Sequence, residues 1–110
     1  MKKTDLITEI IMTYKKHGWE LKRVLLTLES TDELSGVIEL LSSDVKPESS
    51  TFDALWFSRP SHKGAEAWEL RLLAETPYAL FERIEPEELD KREAILSDTE
   101  ERMADYVSGS

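Results

Sequence analysis

The sequence predicts one α+β domain, with a largely antiparallel four-stranded sheet packed with helices in the order helix, strand, helix, three strands, helix. Three observations carry that expectation. Residues 51–85 hold two of the three Trp and all three Phe, punctuated by Pro60, Gly64 and Pro77. Within this stretch Trp68, Leu70 and Leu72 fall on one side of an extended chain, and Glu69 and Arg71 on the other. That is the period-two pattern of a half-buried strand. Near the start, Leu6, Ile7, Ile10, Ile11 and Tyr14 recur at helical spacing.

The first helix is expected over 4–17. Thr4 suits an N-cap and Asp5 the positive helix end, while Lys15, Lys16 and His17 suit the negative end and Gly18 a stop. Residues 19–28 read as a strand whose apolar side changes midway, from Trp19 and Leu21 to Val24, Leu26 and Leu28. Such a change requires burial on both faces or a bulge. Ser30-Thr31-Asp32-Glu33 has the form of a capping box, and Leu34, Val37, Ile38 and Leu41 follow at helical spacing, so a helix is expected over 31–42. Gly36 inside it costs roughly 1 kcal/mol relative to Ala, and a strand over 36–42 is the competing assignment. Residues 42–50, SSDVKPESS, read as a surface loop.

Three strands are expected next, over 52–59, 65–73 and 78–84. A turn at 60–63 places Leu55 opposite Trp68, Trp56 opposite Ala67 and Phe57 opposite Glu66. A turn at 75–77 places Leu72 opposite Leu80, Trp68 opposite Ile84 and Glu69 opposite Arg83. One residue more would oppose Glu69 to Glu82, and directly opposed like charges cost roughly 0.2–1 kcal/mol. One face then carries Leu55, Phe57, Trp68, Leu70, Leu72, Tyr78, Leu80 and Ile84 and is expected to be buried. The other carries Phe52, Trp56, Glu69, Arg71, Phe81 and Arg83. Pro86 suits the first position of a last helix, with Glu87 and Glu88 in its first turn. Leu89, Leu96 and Met103 recur along it to about residue 107, and Ser97-Asp98-Thr99-Glu100 allows a break into two helices. Residues 108–110 are expected to fray.

A chain of 110 residues, 40% hydrophobic and 34% charged, suits one folded domain with a core of its own. With no Cys, disulfides, thiolate nucleophiles and Cys-based metal sites are excluded. No signal peptide and no membrane-length apolar run is read, which makes cytoplasmic the expected location. The net charge of −9 is unevenly spread: +2 over 1–29, −5 over 30–81 and −6 over 82–110. An acidic body disfavours nucleic acid and anionic membrane as partners and favours a basic protein surface.

No catalytic constellation, metal site or cofactor motif stands out. Asp53 with Glu69-x-Arg71 resembles the Asp…Glu-x-Lys arrangement of restriction-type nucleases, in which two carboxylates hold Mg²⁺. Arg stands where Lys is needed, and the expected register puts Asp53 and Glu69 on opposite faces. His17 and His62 lack ligand or triad spacing. The turn Arg59-Pro60-Ser61-His62-Lys63-Gly64 concentrates cations and a hydroxyl that suit a phosphate or carboxylate, or simply form a solvated hairpin tip. On the mixed face, Trp56 with Arg71, Phe81 and Arg83 has the composition of a binding hot spot, unless a helix covers Trp56 and makes it core.

The functional expectation is a non-enzymatic interaction domain. It would bind a protein partner or a second copy of itself, as a homodimer, through a sheet face and the C-terminal helix. Its candidate residues are Trp56, Arg59, His62, Lys63, Arg71, Phe81 and Arg83. The alternative is a small-molecule or anion binder using the 59–64 turn, for which a pocket of about 300 Å³ or more beside that turn is the requirement.

Overall fold

A computed structural model describes residues 2–109. Its first helix, α1 (Lys3–Lys16), buries Leu6, Ile7, Ile10 and Ile11, the expected stripe. Gly18 follows with φ +88°, a conformation that glycine adopts without a Cβ penalty. Strand β1 (Glu20–Leu26) then runs beside β3 (Ala54–Pro60), and their register slips between Leu21 and Arg23. Lys22 is thus the extra residue of a bulge, and the bulge keeps Leu21, Val24 and Leu26 in one core with α1.

Helix α2 (Leu28–Leu41) starts three residues earlier than the capping-box motif implies. Thr27 caps it, accepting the Ser30 N–H at 3.3 Å. Ser30 is not the cap because its hydroxyl is committed elsewhere, donating to Asp53 Oδ2 at 2.6 Å. Gly36 sits on the exposed side of the helix, where it is tolerated. The segment expected to be a loop contains a short strand, β2 (Pro47–Ser49), parallel to β1. Alternation could not reveal it, since three residues are too few to show a period.

The sheet therefore has five strands rather than four, in the order β2-β1-β3-β4-β5, with β4 at Glu66–Leu72 and β5 at Ala79–Ile84. All its pairings except β1–β2 are antiparallel. The β3–β4 register corrects the expected one by three residues: Trp56 lies opposite Leu70, Phe57 opposite Glu69 and Arg59 opposite Ala67. The cause is the turn. A 3₁₀ turn at His62–Gly64, with Lys63 at φ 56° and Gly64 at φ 81°, widens the loop, and the Ser61 N–H closes it on Ala65 O at 2.9 Å.

An odd shift exchanges the two sides of a strand, so the expected faces are rearranged. Leu55 and Phe57 pack with α1 and α2 on one side. Trp56, Trp68, Leu70 and Ile84 pack with Leu96 and Met103 on the other. The β4–β5 register shifts by two, which keeps faces but puts Glu69 opposite Phe81 instead of Arg83. The turn is the cause again: β4 ends at Leu72, whose N–H bonds to Tyr78 O at 2.9 Å, so residues 73–77 form the turn, and the Leu73 side chain leaves the β4–β5 ladder for the α1/α2 core.

Pro86 opens a 3₁₀ segment, Pro86–Lys91, closed by a reciprocal capping box between Glu85 and Glu88. α3 (Arg92–Val107) follows unbroken, so the expected break at 97–100 is absent and the change of helix type falls at Arg92. Its buried residues are Leu96, Thr99 and Met103, and they cover Trp56 and Trp68. The molecule is thus three layers: α1 with α2, the sheet, and α3. Val107 ends the helix as expected, while part of the segment expected to fray, residue 110, lies outside the described residues.

Candidate functional site

The sheet brings the candidate residues into rows. On the α1 side, Arg59, Ala67 and Arg83 lie side by side across β3, β4 and β5; Phe57, Glu69 and Phe81 form the next row, and Leu55, Arg71 and Ala79 the one after. α1 covers this face only as far as β4. There the Tyr14 hydroxyl donates to Glu69 and the Tyr14 ring stacks on Phe57 at 4.0 Å. Burial first, then the hydrogen bond to the Glu69 carboxylate, raises the Tyr14 hydroxyl well above the usual phenol range. Tyr14 therefore remains a neutral donor.

Beyond Tyr14 the face is open. Phe81 is 56% exposed, and Ala79 and Arg83 are exposed beside it. A cleft of about 350 Å³ borders the strip between α1 and the β4–β5 turn, lined by Leu6, Ile10, Tyr14, Arg71 and Pro77 among others. Two arginines at this edge are paired with carboxylates within the chain, while Arg71 donates to Leu72 O at 3.0 Å. Arg83 Nε meets Glu85 Oε2 at 2.6 Å and its Nη1 donates to Ser61 Oγ at 2.9 Å, while Arg102 pairs with Glu82. Outside β5 there is no further strand among the described residues.

Trp56 is a correction to the candidate list. It is fully buried beneath α3, its Nε1–H donating to Glu100 Oε2 at 2.7 Å and its ring edge-on to Trp68 at 5.8 Å. It cannot meet a partner, because the register shift turned it to the α3 side, away from Arg71, Phe81 and Arg83. The C-terminal helix is likewise part of this chain's own core along Leu96, Thr99 and Met103. Only its end stays near the open edge, where Tyr106 stacks on Tyr78 at 3.6 Å.

The 59–64 turn borders a second, larger cleft of about 750 Å³. Arg59, Ser61 and Gly64 line it, but His62 and Lys63 do not; both are exposed at the turn. Lys22, Arg23, Arg59 and Arg92 enter the cleft with Glu20, Glu66 and Glu93. Arg92 clasps Glu66 with two bonds of 2.8 and 2.7 Å, and Arg23 holds Glu93 at 2.5 Å. The bond from Arg92 pulls the Glu66 carboxyl below its usual range, and the bond from Arg23 does the same for Glu93. Arg59 lies over the Trp19 ring at 4.5 Å and donates to His17 O at 2.9 Å. Sequence reasoning missed Arg23, Glu66, Arg92 and Glu93, since partners 26 and 70 residues apart leave no local signal.

The nuclease-like arrangement is not assembled. The true register puts Asp53 on the same side as Glu69, contrary to expectation, yet Asp53 sits at the far end of β3, opposite Leu73 rather than Phe57. Its carboxylate accepts the Thr27 N–H at 2.8 Å and the Ser30 hydroxyl, while Glu69 is engaged by Tyr14. Among the described residues no three His, Asp or Glu side chains are grouped to hold a metal ion.

The fold defines a three-layer α+β domain with a mostly antiparallel sheet. No family model matches the chain, and no curated protein or solved structure compared with it is similar enough to match. No helix among the described residues is long and apolar enough to cross a membrane.

Proposed function

We propose that this chain is a non-enzymatic protein-interaction domain, working in the cytoplasm, that takes an extended segment of a protein onto the outer edge of β5. One observation carries the reading: a six-residue strand without a neighbouring strand on its outer side among the described residues, with Phe81 56% exposed on the uncovered face next to it. Added strands gain affinity from main-chain hydrogen bonds and specificity from alternate side chains. Phe81, with Arg71 and Arg83 around it, supplies an aromatic anchor in a polar rim. The end of α3 flanks the same edge through the Tyr78–Tyr106 stack. The net charge of −9 argues against a polyanionic partner.

Selection of extended peptides from a displayed random library tests this. Peptides with apolar residues at alternate positions should be enriched on the native protein, and their binding should fall at least about tenfold on Phe81→Glu, as expected of a buried aromatic anchor. Binders that are indifferent to that substitution would overturn the reading.

The larger cleft supports a second reading, a small anion bound beside the 59–64 turn. Its volume of about 750 Å³ exceeds the roughly 300 Å³ at which ligand pockets begin. Arg23 and Arg92 are already neutralised by carboxylates, which places this reading second. Titration calorimetry with inorganic phosphate and citrate decides it: binding lost on Arg59→Gln favours the cleft, and no heat removes it.

A further inference from the structure

We infer that the segment β5 receives is the β5 of a second copy of this chain, paired antiparallel about a two-fold axis at Phe81. This rests on the reading of β5 as the binding edge, and three features of that edge specify the occupant.

The first is hydrogen-bond parity. The Leu72 N–H donates to Tyr78 O at 2.9 Å, continuing the β4–β5 ladder. Even-numbered residues of β5 therefore bond inward to β4, and Ala79, Phe81 and Arg83 direct their N–H and C=O outward. An antiparallel copy centred on Phe81 opposes Phe81 to the partner's Phe81 and Ala79 to the partner's Arg83. Every outward group is then matched, giving about six backbone hydrogen bonds. Both copies keep the same face up, so α1 and α3 remain in their layers across the join.

The second is charge. Shifting the pairing one way, to centre on Glu82, opposes Glu82 to the partner's Glu82, which is unfavourable. Shifting it the other way brings Pro77 opposite the partner's Arg83, and Pro77 has no N–H to give. The Phe81-centred register opposes no like charges. Glu82 with Arg102 and Glu85 with Arg83 are already paired within each chain. This edge is thus locally neutral on a chain of charge −9, and two copies can approach there.

The third is the contrast between the two edges. β2 is protected: it has three residues and begins with Pro47. β5 has six residues, with no proline, no lysine and no bulge in its ladder. A head-to-tail join of β5 to β2 would have too little strand to pair and would grow into open filaments. A two-fold join of β5 to β5 closes after two copies.

Sedimentation of the full chain across the micromolar range, combined with single-cysteine crosslinking, tests the inference. The chain has no cysteine, so each introduced thiol reports alone. Opposed residues of a hydrogen-bonded pair stand about 5.5 Å apart between Cα atoms, within disulfide reach. The native chain should sediment at twice its monomer mass, and Phe81→Cys should oxidise to a covalent dimer. Ala79→Cys alone should not, because it meets the partner's Arg83, but Ala79→Cys with Arg83→Cys should. Leu40→Cys, exposed on α2, controls for random collision. Leu40, Ala79, Phe81 and Arg83 are all exposed in the single chain, so the reduced variants should keep the native far-ultraviolet dichroism. A monomer throughout overturns the second copy, as does a dimer in which the Phe81→Cys variant crosslinks no faster than the Leu40→Cys variant. A monomer that still selects peptides sensitive to Phe81 overturns the second copy and leaves the wider reading standing, and one that selects none removes both.

Discussion

Asp53 shows how much a single side chain organises. It stands just before β3, yet its carboxylate ties the start of α2 to the sheet through the Thr27 N–H and the Ser30 hydroxyl, with Lys3 of α1 at 3.4 Å. Burial alone would raise its carboxyl. The bonds from Ser30 and Thr27 and the charge of Lys3 overcome that and hold it below the usual range. The folded chain therefore releases this proton more readily than the unfolded chain. The resulting stabilisation is fully present above the ordinary Asp range near about pH 4 and is lost as pH falls from there through the lowered folded value. Asp53→Ala should cost about 1–3 kcal/mol at neutral pH, because it leaves two donors unpaired. Its denaturant midpoint should fall less than the native one between about pH 6 and about pH 3, as paired urea titrations at those two values would record. No pattern in the sequence marks Asp53 for this role. Sequence alone offers it as a metal ligand, because its true partners lie 23 and 26 residues away.

At the scale of elements, periodicity places every helix and long strand, but turns set the registers. The stripe of α1 and the alternation of β4 each sum many residues, so one misleading position does not spoil them. The β3–β4 turn depends on two residues, Lys63 and Gly64, both with positive φ. Nothing in Ser61-His62-Lys63-Gly64 says that Lys63 joins Gly64 in that conformation, and the difference moves Trp56 from one layer to the other. This turn also supplies a test. Gly64→Ala should destabilise the protein by about 1 kcal/mol, the cost of a Cβ in the left-handed region, measured by chemical denaturation. The new Cβ would meet Pro86 at an ordinary 3.4 Å, so backbone strain and not a clash is the cause. The candidate strip follows the registers. Alternation within β4 and β5 correctly groups Arg71, Phe81 and Arg83 on one face, whereas the longer turn carries Trp56 away from them.

For the molecule as a whole, β3 is the shared member. Leu55 and Phe57 enter the α1/α2 core, and Ala54 and Trp56 enter the α3 core. Neither core can come apart without disturbing the strand that the other needs. The tryptophans fall on opposite sides of that strand, Trp19 against the α1/α2 layer and Trp56 with Trp68 against α3. The chain thus carries intrinsic fluorophores in both layers. Trp19→Phe leaves emission from the α3 layer alone, and Trp68→Phe shifts the balance toward Trp19. Thermal transitions of the two variants, each scaled to far-ultraviolet dichroism of the same sample, should superimpose emission on dichroism in both. An emission change that ran ahead of dichroism in the Trp19→Phe variant would mean that light from the α3 layer records a partial opening, with β3 acting as a partition between two optically distinct compartments.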